Sequence, residues 1–165
     1  MLGGAYDPST QRMRADLVQQ NLLPLTEPYT ALGYAQVNGG GGETTTATVL
    51  NTNYPAGRVV DWVRLELRSF SDPSLLVATR QALVLQNGSI VSTSGAGLNL
   101  FNVLHGNYYV AVHHRNHLGA MTSTPITVPY PDGGVWTYFF ATPGFQCYGT
   151  TPRNIQGNVA LLWPG

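Results

Sequence analysis

From Glu43 to the end of the chain, apolar residues recur with a period of two, and no segment between the apolar runs carries a crossover helix. That pattern dictates strands joined by turns, because parallel pairing needs a long, usually helical, connection. The clearest run is Val59 to Arg68, where Val63, Leu65 and Leu67 share one face and Trp62, Arg64, Glu66 and Arg68 the other. Opposite charges on the second face predict a solvent-exposed surface. Leu75–Leu85 follows the Ser71-Asp72-Pro73 turn, and Asn87-Gly88 predicts a tight hairpin onto Ser89–Ser92. Further strands are expected over Thr44–Leu50, Leu98–Phe101, Tyr108–Arg115, Ile126–Val128, Trp136–Phe140 and Val159–Trp163. About nine short strands at such spacing predict an all-β protein, an antiparallel β-sandwich of immunoglobulin-like or transthyretin-like type.

The first 42 residues read differently. Ser9 after Asp7-Pro8 suits an N-cap, and Met13 and Leu17 lie four apart, so one short helix is expected before the breaks at Pro24 and Pro28. Gly39–Gly42 is flexible in isolation but also suits a close-approach loop. Residues 1–42 are thus expected as an extension packed on a sandwich of residues 43–165, one structural domain overall.

Composition narrows the function. Of 165 residues only 10% are charged, with 8 basic and 8 acidic; every basic residue is arginine. Ordinary soluble domains carry roughly 25%. No basic surplus exists for a phosphate backbone, and no run of about 18 apolar residues could span a bilayer. Neither nucleic-acid binding nor membrane insertion is expected. A neutral, charge-poor surface is poorly defended against self-association. Thr, Asn, Gln and Gly in place of lysine favour an exported, extracellular protein, although Met1-Leu2-Gly3-Gly4 is unlike a signal peptide and the lone Cys147 permits no internal disulfide.

Chemistry-bearing constellations are few. His113, His114 and His117 could share a metal, with His113 and His114 on opposite strand faces and His117 in the turn before Gly119. The structural reading is that they cap strand ends and hold that turn. No nucleophile elbow is present, and Asp61 and Glu66 fall on opposite faces of one strand, so no catalytic residue and no cofactor are expected. Tyr108, Tyr109, Trp136, Tyr138 and Tyr148 could form a sugar-stacking platform or pack at the polar edge of the core. Apolar, strand-like ends (Met1 and Leu2; Leu161, Leu162 and Trp163) suit strand addition to a neighbouring copy.

Val59–Leu67, Asn87-Gly88-Ser89-Ile90 and Gly106-Asn107-Tyr108-Tyr109-Val110-Ala111-Val112 resemble transthyretin-like and collagen-adhesin B-type modules at the level of fold. A closer resemblance covers nearly the whole chain. Leu22–Tyr29, Gly39–Glu43, Val60-Asp61-Trp62-Val63, Ala78-Thr79-Arg80 and His114-Arg115-Asn116-His117-Leu118-Gly119 are similar to an uncharacterised module of large secreted, surface-attached Bacteroidota proteins. In those modules the stretch corresponding to Tyr148–Trp163 commonly precedes a calcium-loop-like NGDG, which this sequence lacks. The resemblance implies export and a non-catalytic extracellular role. The expectation is a self-associating structural subunit of a fibre or matrix; the alternatives are a polysaccharide-binding adhesion module and a histidine metal site.

Overall fold

The computed structural model describes residues 1–98, 103–128, 147–149 and 153–165. Its centre is an antiparallel sheet of β3 (Val59–Ser69), β4 (Leu76–Leu85), β5 (Ile90–Val91), β6 (Gly106–His114), β7 (His117–Met121) and β8 (Ile126–Val128). The order is β5-β4-β3-β6-β7, with β8 also paired to β6. Two hairpins complete the strands: β1 (Tyr6–Asp7) with β2 (Arg12–Met13), and β9 (Arg153–Gln156) with β10 (Val159–Leu162). The fold is all-β, antiparallel and sandwich-like. The expected Trp136–Phe140 strand and most of Leu98–Phe101 lie outside the described residues.

Period two works as the sequence suggests. Val63, Leu65 and Leu67 of β3 pack with Ala82, Val84, Val110 and Val112; the N-terminal segment adds Leu2, and the two hairpins add Met13 and Leu162 to this layer. Asn87-Gly88 closes the β4–β5 hairpin: Gly88 adopts φ 89°, its N–H donates to the Leu85 carbonyl (2.8 Å), and Asn87 Oδ1 accepts from Ser89 N–H (2.9 Å).

The opposite sheet face departs from expectation. Trp62, Arg64 and Glu66 are buried, not solvated. Residues 15–54 cover them, with Val18, Leu23, Tyr29 and Leu50 packing on Val59, Trp62, Leu83 and Leu85. Trp62 Nε1–H donates to the Pro24 carbonyl (2.9 Å), and Tyr29, fully buried, donates its hydroxyl to the Trp62 carbonyl (2.9 Å).

This cover contains little regular structure, and two local expectations fail within or beside it. No helix starts at Ser9. Asp7 Oδ1 captures the Ser9 amide (2.9 Å) and hydroxyl (2.7 Å), a turn that lets Tyr6 pair with Met13. The helix α1 spans only Asp16–Gln19. A second, α2 (Ala47–Asn51), replaces the strand expected over Thr44–Leu50, because Thr46 Oγ1 caps it by accepting from Val49 N–H (3.2 Å) and Leu50 turns inward. Two short helices thus stand where one was expected. No helix among the described residues is long and apolar enough to cross a membrane.

Candidate functional site

Two clusters of polar side chains lie inside the fold, both organised by β3. The first runs across the covered face. Register places Gln81, Arg64 and His113 side by side on β4, β3 and β6, with Thr79 and Glu66 in the next row. Arg64 is 1% exposed. Its Nε donates to Glu66 Oε1 (2.9 Å), Nη1 to Gln36 Oε1 (2.9 Å) and Nη2 to the Ala35 carbonyl, while its guanidinium lies 5.5 Å from the Tyr34 ring centre. Glu66 Oε2 faces Arg68 Nη2 (2.6 Å) and His113 Nε2 (3.1 Å). Burial alone would raise the Glu66 pKa. The hydrogen bond and charge of His113, with the bonds from Arg64 and Arg68, outweigh it and bring the carboxyl down to about 2. The Gln81 side-chain amide donates to Gln36 Oε1 (2.8 Å), and the Gln81 backbone N–H donates to Glu43 Oε1 (3.1 Å).

The glycine tract belongs to this cover. Gly39, Gly40, Gly41 and Gly42 all have φ between +74° and +96°. A Cβ at Gly40 would stand 2.5 Å from the Thr79 carbonyl oxygen, so only glycine lets the backbone lie on the sheet edge there. Gly42 N–H donates to Glu27 Oε1 (2.8 Å), and Glu27 also accepts from the amides of Tyr29 (2.6 Å) and Thr30 (3.1 Å). Glu27 is buried, which opposes ionisation, yet the bonds from Thr30, Gly42 and Tyr29 hold its pKa below the usual value.

The second cluster sits where β6 turns into β7. Asp61 accepts from His114 Nε2 (3.1 Å), from Arg115 Nη2 (2.8 Å) and from the Trp62 amide (2.7 Å). His117 opens β7 opposite His114; the turn is Arg115-Asn116 and not, as expected, one that includes His117. The two imidazoles stack edge-on with centroids 4.8 Å apart and Nδ1 atoms 2.9 Å apart. Tyr29, whose hydroxyl also lies 3.4 Å from the His113 carbonyl, has its pKa raised by burial first and by Asp61 second.

The expected metal triad does not converge. His113 faces Glu66 on the covered side, whereas His114 and His117 meet at the β6–β7 turn. Among the described residues no group of three or more His, Cys, Asp or Glu could hold a metal ion.

The expected aromatic platform is divided. Tyr108 packs against the apolar layer, its hydroxyl donating to the Leu104 carbonyl (2.9 Å). Tyr109 meets the exposed Tyr148 edge to face at 6.1 Å. Trp136 and Tyr138 lie outside the described residues.

The chain ends pair with one another. Leu2 bridges Leu162, and Met1 accepts from Leu162 N–H at its carbonyl (2.8 Å). Leu2, Leu161 and Leu162 are buried, Met1 is half-buried, and only Trp163 is exposed. Within the chain, these apolar ends are thus occupied by one another.

Two surface depressions accompany these clusters. One of about 190 Å³ is lined by Val18, Leu23, Leu25 and Leu50, and one of about 320 Å³ by Asn38, Val77, Val103, Leu104 and Tyr108. Among the described residues neither is lined by an acid, an arginine or a histidine. Sequence reasoning overlooked the structural weight of Glu27, Tyr29 and Gln36, all in the segment that covers the sheet. No family model matches the chain, and no curated protein or solved structure does.

Proposed function

We propose that the chain is a non-catalytic structural module of an exported, surface-attached protein, associating through its faces with copies of itself or with neighbouring domains. One observation carries this reading: the ionic side chains of the central strand β3 are consumed inside the fold. Arg64, Glu66 and Asp61 are buried and paired, and Arg68 and Arg115 bind the same two carboxylates. The outer surface keeps only a few charges, among them Arg12, Arg14, Asp16 and Asp72, beside neutral polar residues and large apolar side chains such as Leu22, Leu25, Phe70, Leu75, Leu118 and Trp163. Such a surface can meet a like surface without burying unpaired charge. The resemblance to secreted Bacteroidota modules supports the location.

Sedimentation velocity and electron microscopy over a hundredfold concentration range test it. Concentration-dependent oligomers or filaments, weakened by Leu118→Asp and Trp163→Asp, are expected. A monomer throughout would overturn self-association.

A second reading, polysaccharide adhesion, is favoured by the Tyr109–Tyr148 pair, in which Tyr148 is 53% exposed. Affinity electrophoresis against a polysaccharide panel separates it from the first. Retardation abolished by Tyr148→Ala supports adhesion, and retardation indifferent to that change removes it.

A further inference from the structure

The four ring nitrogens of His114 and His117 admit one consistent arrangement of protons. Asp61 Oδ2, 3.1 Å from His114 Nε2, also binds Arg115, and a carboxylate only accepts, so that nitrogen carries its proton. His114 Nδ1 then holds a lone pair, as the Asn116 N–H aimed at it (3.2 Å) requires. The facing His117 Nδ1, 2.9 Å away, must therefore be the donor. This leaves a lone pair on His117 Nε2, and Gly4 N–H donates to it at 3.2 Å. Both rings are neutral in this pattern.

The chain of bonds ends at a strategic place. Gly4 lies in the single turn Gly3–Ala5, next to the Leu2 that bridges Leu162. The backbone of His117 bridges Pro164, and its neighbours bond the same segment, Leu118 N–H to the Trp163 carbonyl (2.9 Å) and Gly165 N–H to the Asn116 carbonyl (2.8 Å). His117 thus touches one chain end with its ring and the other with its backbone.

We infer that the His114–His117 pair is an acid-released latch that holds the N-terminal turn on β7 and closes only while both imidazoles are neutral. A proton added at His117 Nε2 sets N–H against the Gly4 N–H. One added at His114 Nδ1 sets N–H against both His117 Nδ1–H and the Asn116 amide. Either breaks the relay. The charged groups facing the pair are Asp61 from β3, Arg115 from the turn and the Met1 amine from the N-terminus. Burial above all holds the His117 pKa below the usual 6.5, against an opposing contribution from Asp61, and keeps its ring neutral at pH 7. The latch is accordingly closed at neutral pH and opens when acid adds a proton to the pair. It requires no self-association.

Imidazole ¹⁵N NMR of the full chain from pH 8 to 3.5, with amide exchange read at Gly4 and corrected for intrinsic rate, tests the latch. At pH 7, His117 is expected as the Nδ1–H tautomer and His114 as Nε2–H. Towards pH 3.5 the His117 signals move, and Gly4 protection falls by roughly tenfold or more. His117→Leu is expected to show the low protection already at pH 7, with no further dependence on pH. If that variant fails to fold, the wild-type titration decides alone. An Nε2–H tautomer at His117, or Gly4 protection unchanged between pH 7 and 3.5, overturns the latch. So does one equivalent of Zn²⁺ that shifts both Nδ1 signals at pH 7, since the pair would then be a metal bridge.

Discussion

Truncating Glu66 to alanine is the most searching perturbation of the buried ionic row. The carboxylate is 6% exposed and is shared by Arg64 (2.9 Å), Arg68 (2.6 Å) and His113 (3.1 Å). Without it, Arg64 stays 1% exposed, with Gln36, the Ala35 carbonyl and the Tyr34 ring as neighbours but no other ion-pair partner among the described residues. Removing one partner of a buried ion pair costs about 3–5 kcal/mol. The pH dependence gives a second route to the magnitude. The Glu66 pKa falls from 4.5 to about 2 on folding, which at about 1.36 kcal/mol per pH unit amounts to about 3 kcal/mol. A depressed carboxyl contributes fully above its unfolded pKa of 4.5 and loses that contribution as pH falls through about 2.

Urea denaturation of both proteins at pH 7, 4.5, 3 and 2 measures both quantities. At pH 7 the variant should be less stable by about 3–5 kcal/mol, a drop in Tm of about 10 °C for a chain of this size. The gap should close as pH falls from 4.5 to 2, where the wild-type carboxyl is protonated as well. A deficit below about 1 kcal/mol at pH 7, or one that stays constant down to pH 2, would refute the reasoning that Glu66 is the counter-ion of a buried arginine.

Two further outcomes follow from the packing. Gly40→Ala places a Cβ 2.5 Å from the Thr79 carbonyl oxygen at φ +90°, whereas Gly42→Ala meets nothing within 4 Å at φ +74°. The first should cost more than about 2 kcal/mol and the second about 1 kcal/mol in chemical denaturation, and equal costs would mean that the tract does not lie on the sheet edge. Leu161→Ala, at a fully buried position, should lose about 2–5 kcal/mol, and a near-neutral result would return the C-terminal strand to the role of a free arm.

The sheet was largely legible because period two and turn chemistry are local. Val63, Leu65 and Leu67 alternate inward, and Asn87-Gly88 specifies its hairpin, with no information from elsewhere in the chain. The covered face was not legible, because alternating Arg64, Glu66 and Arg68 look the same whether water or residues 15–54 lie above them. One signal was available: Trp62 stands on that charged face, and a large aromatic there calls for a cover. Thr44–Leu50 misled for a related reason. Its threonines favour a strand intrinsically, but Thr46 is worth more as a cap on a turn of helix that buries Leu50. The histidines were legible as strand-end residues but not as a relay, which depends on a β6–β7 register and on Gly4, more than a hundred residues distant.

The low surface charge and the irregular cover have a common cause. A segment that crosses a sheet face with only nine residues in helices, four in α1 and five in α2, leaves many backbone groups to be satisfied by side chains. Glu27 accepts from the amides of Tyr29, Thr30 and Gly42, Glu43 accepts from Gln81 N–H (3.1 Å), and Arg64 donates to the Ala35 carbonyl. Each bond draws an ionic side chain inward, and each also fixes the register of the cover, which an apolar face alone would let slide. A neutral exterior follows from that use of charge whether or not the module polymerises, so neutrality by itself is weak support for assembly. The discriminating contrast is between the two sets of positions. Charge placed at Leu118 or Trp163 should weaken association and leave stability nearly unchanged, while Glu66→Ala should lower stability without creating a new surface charge. If both sets altered association only in proportion to stability, the self-association would belong to unfolded chain and not to the module's face.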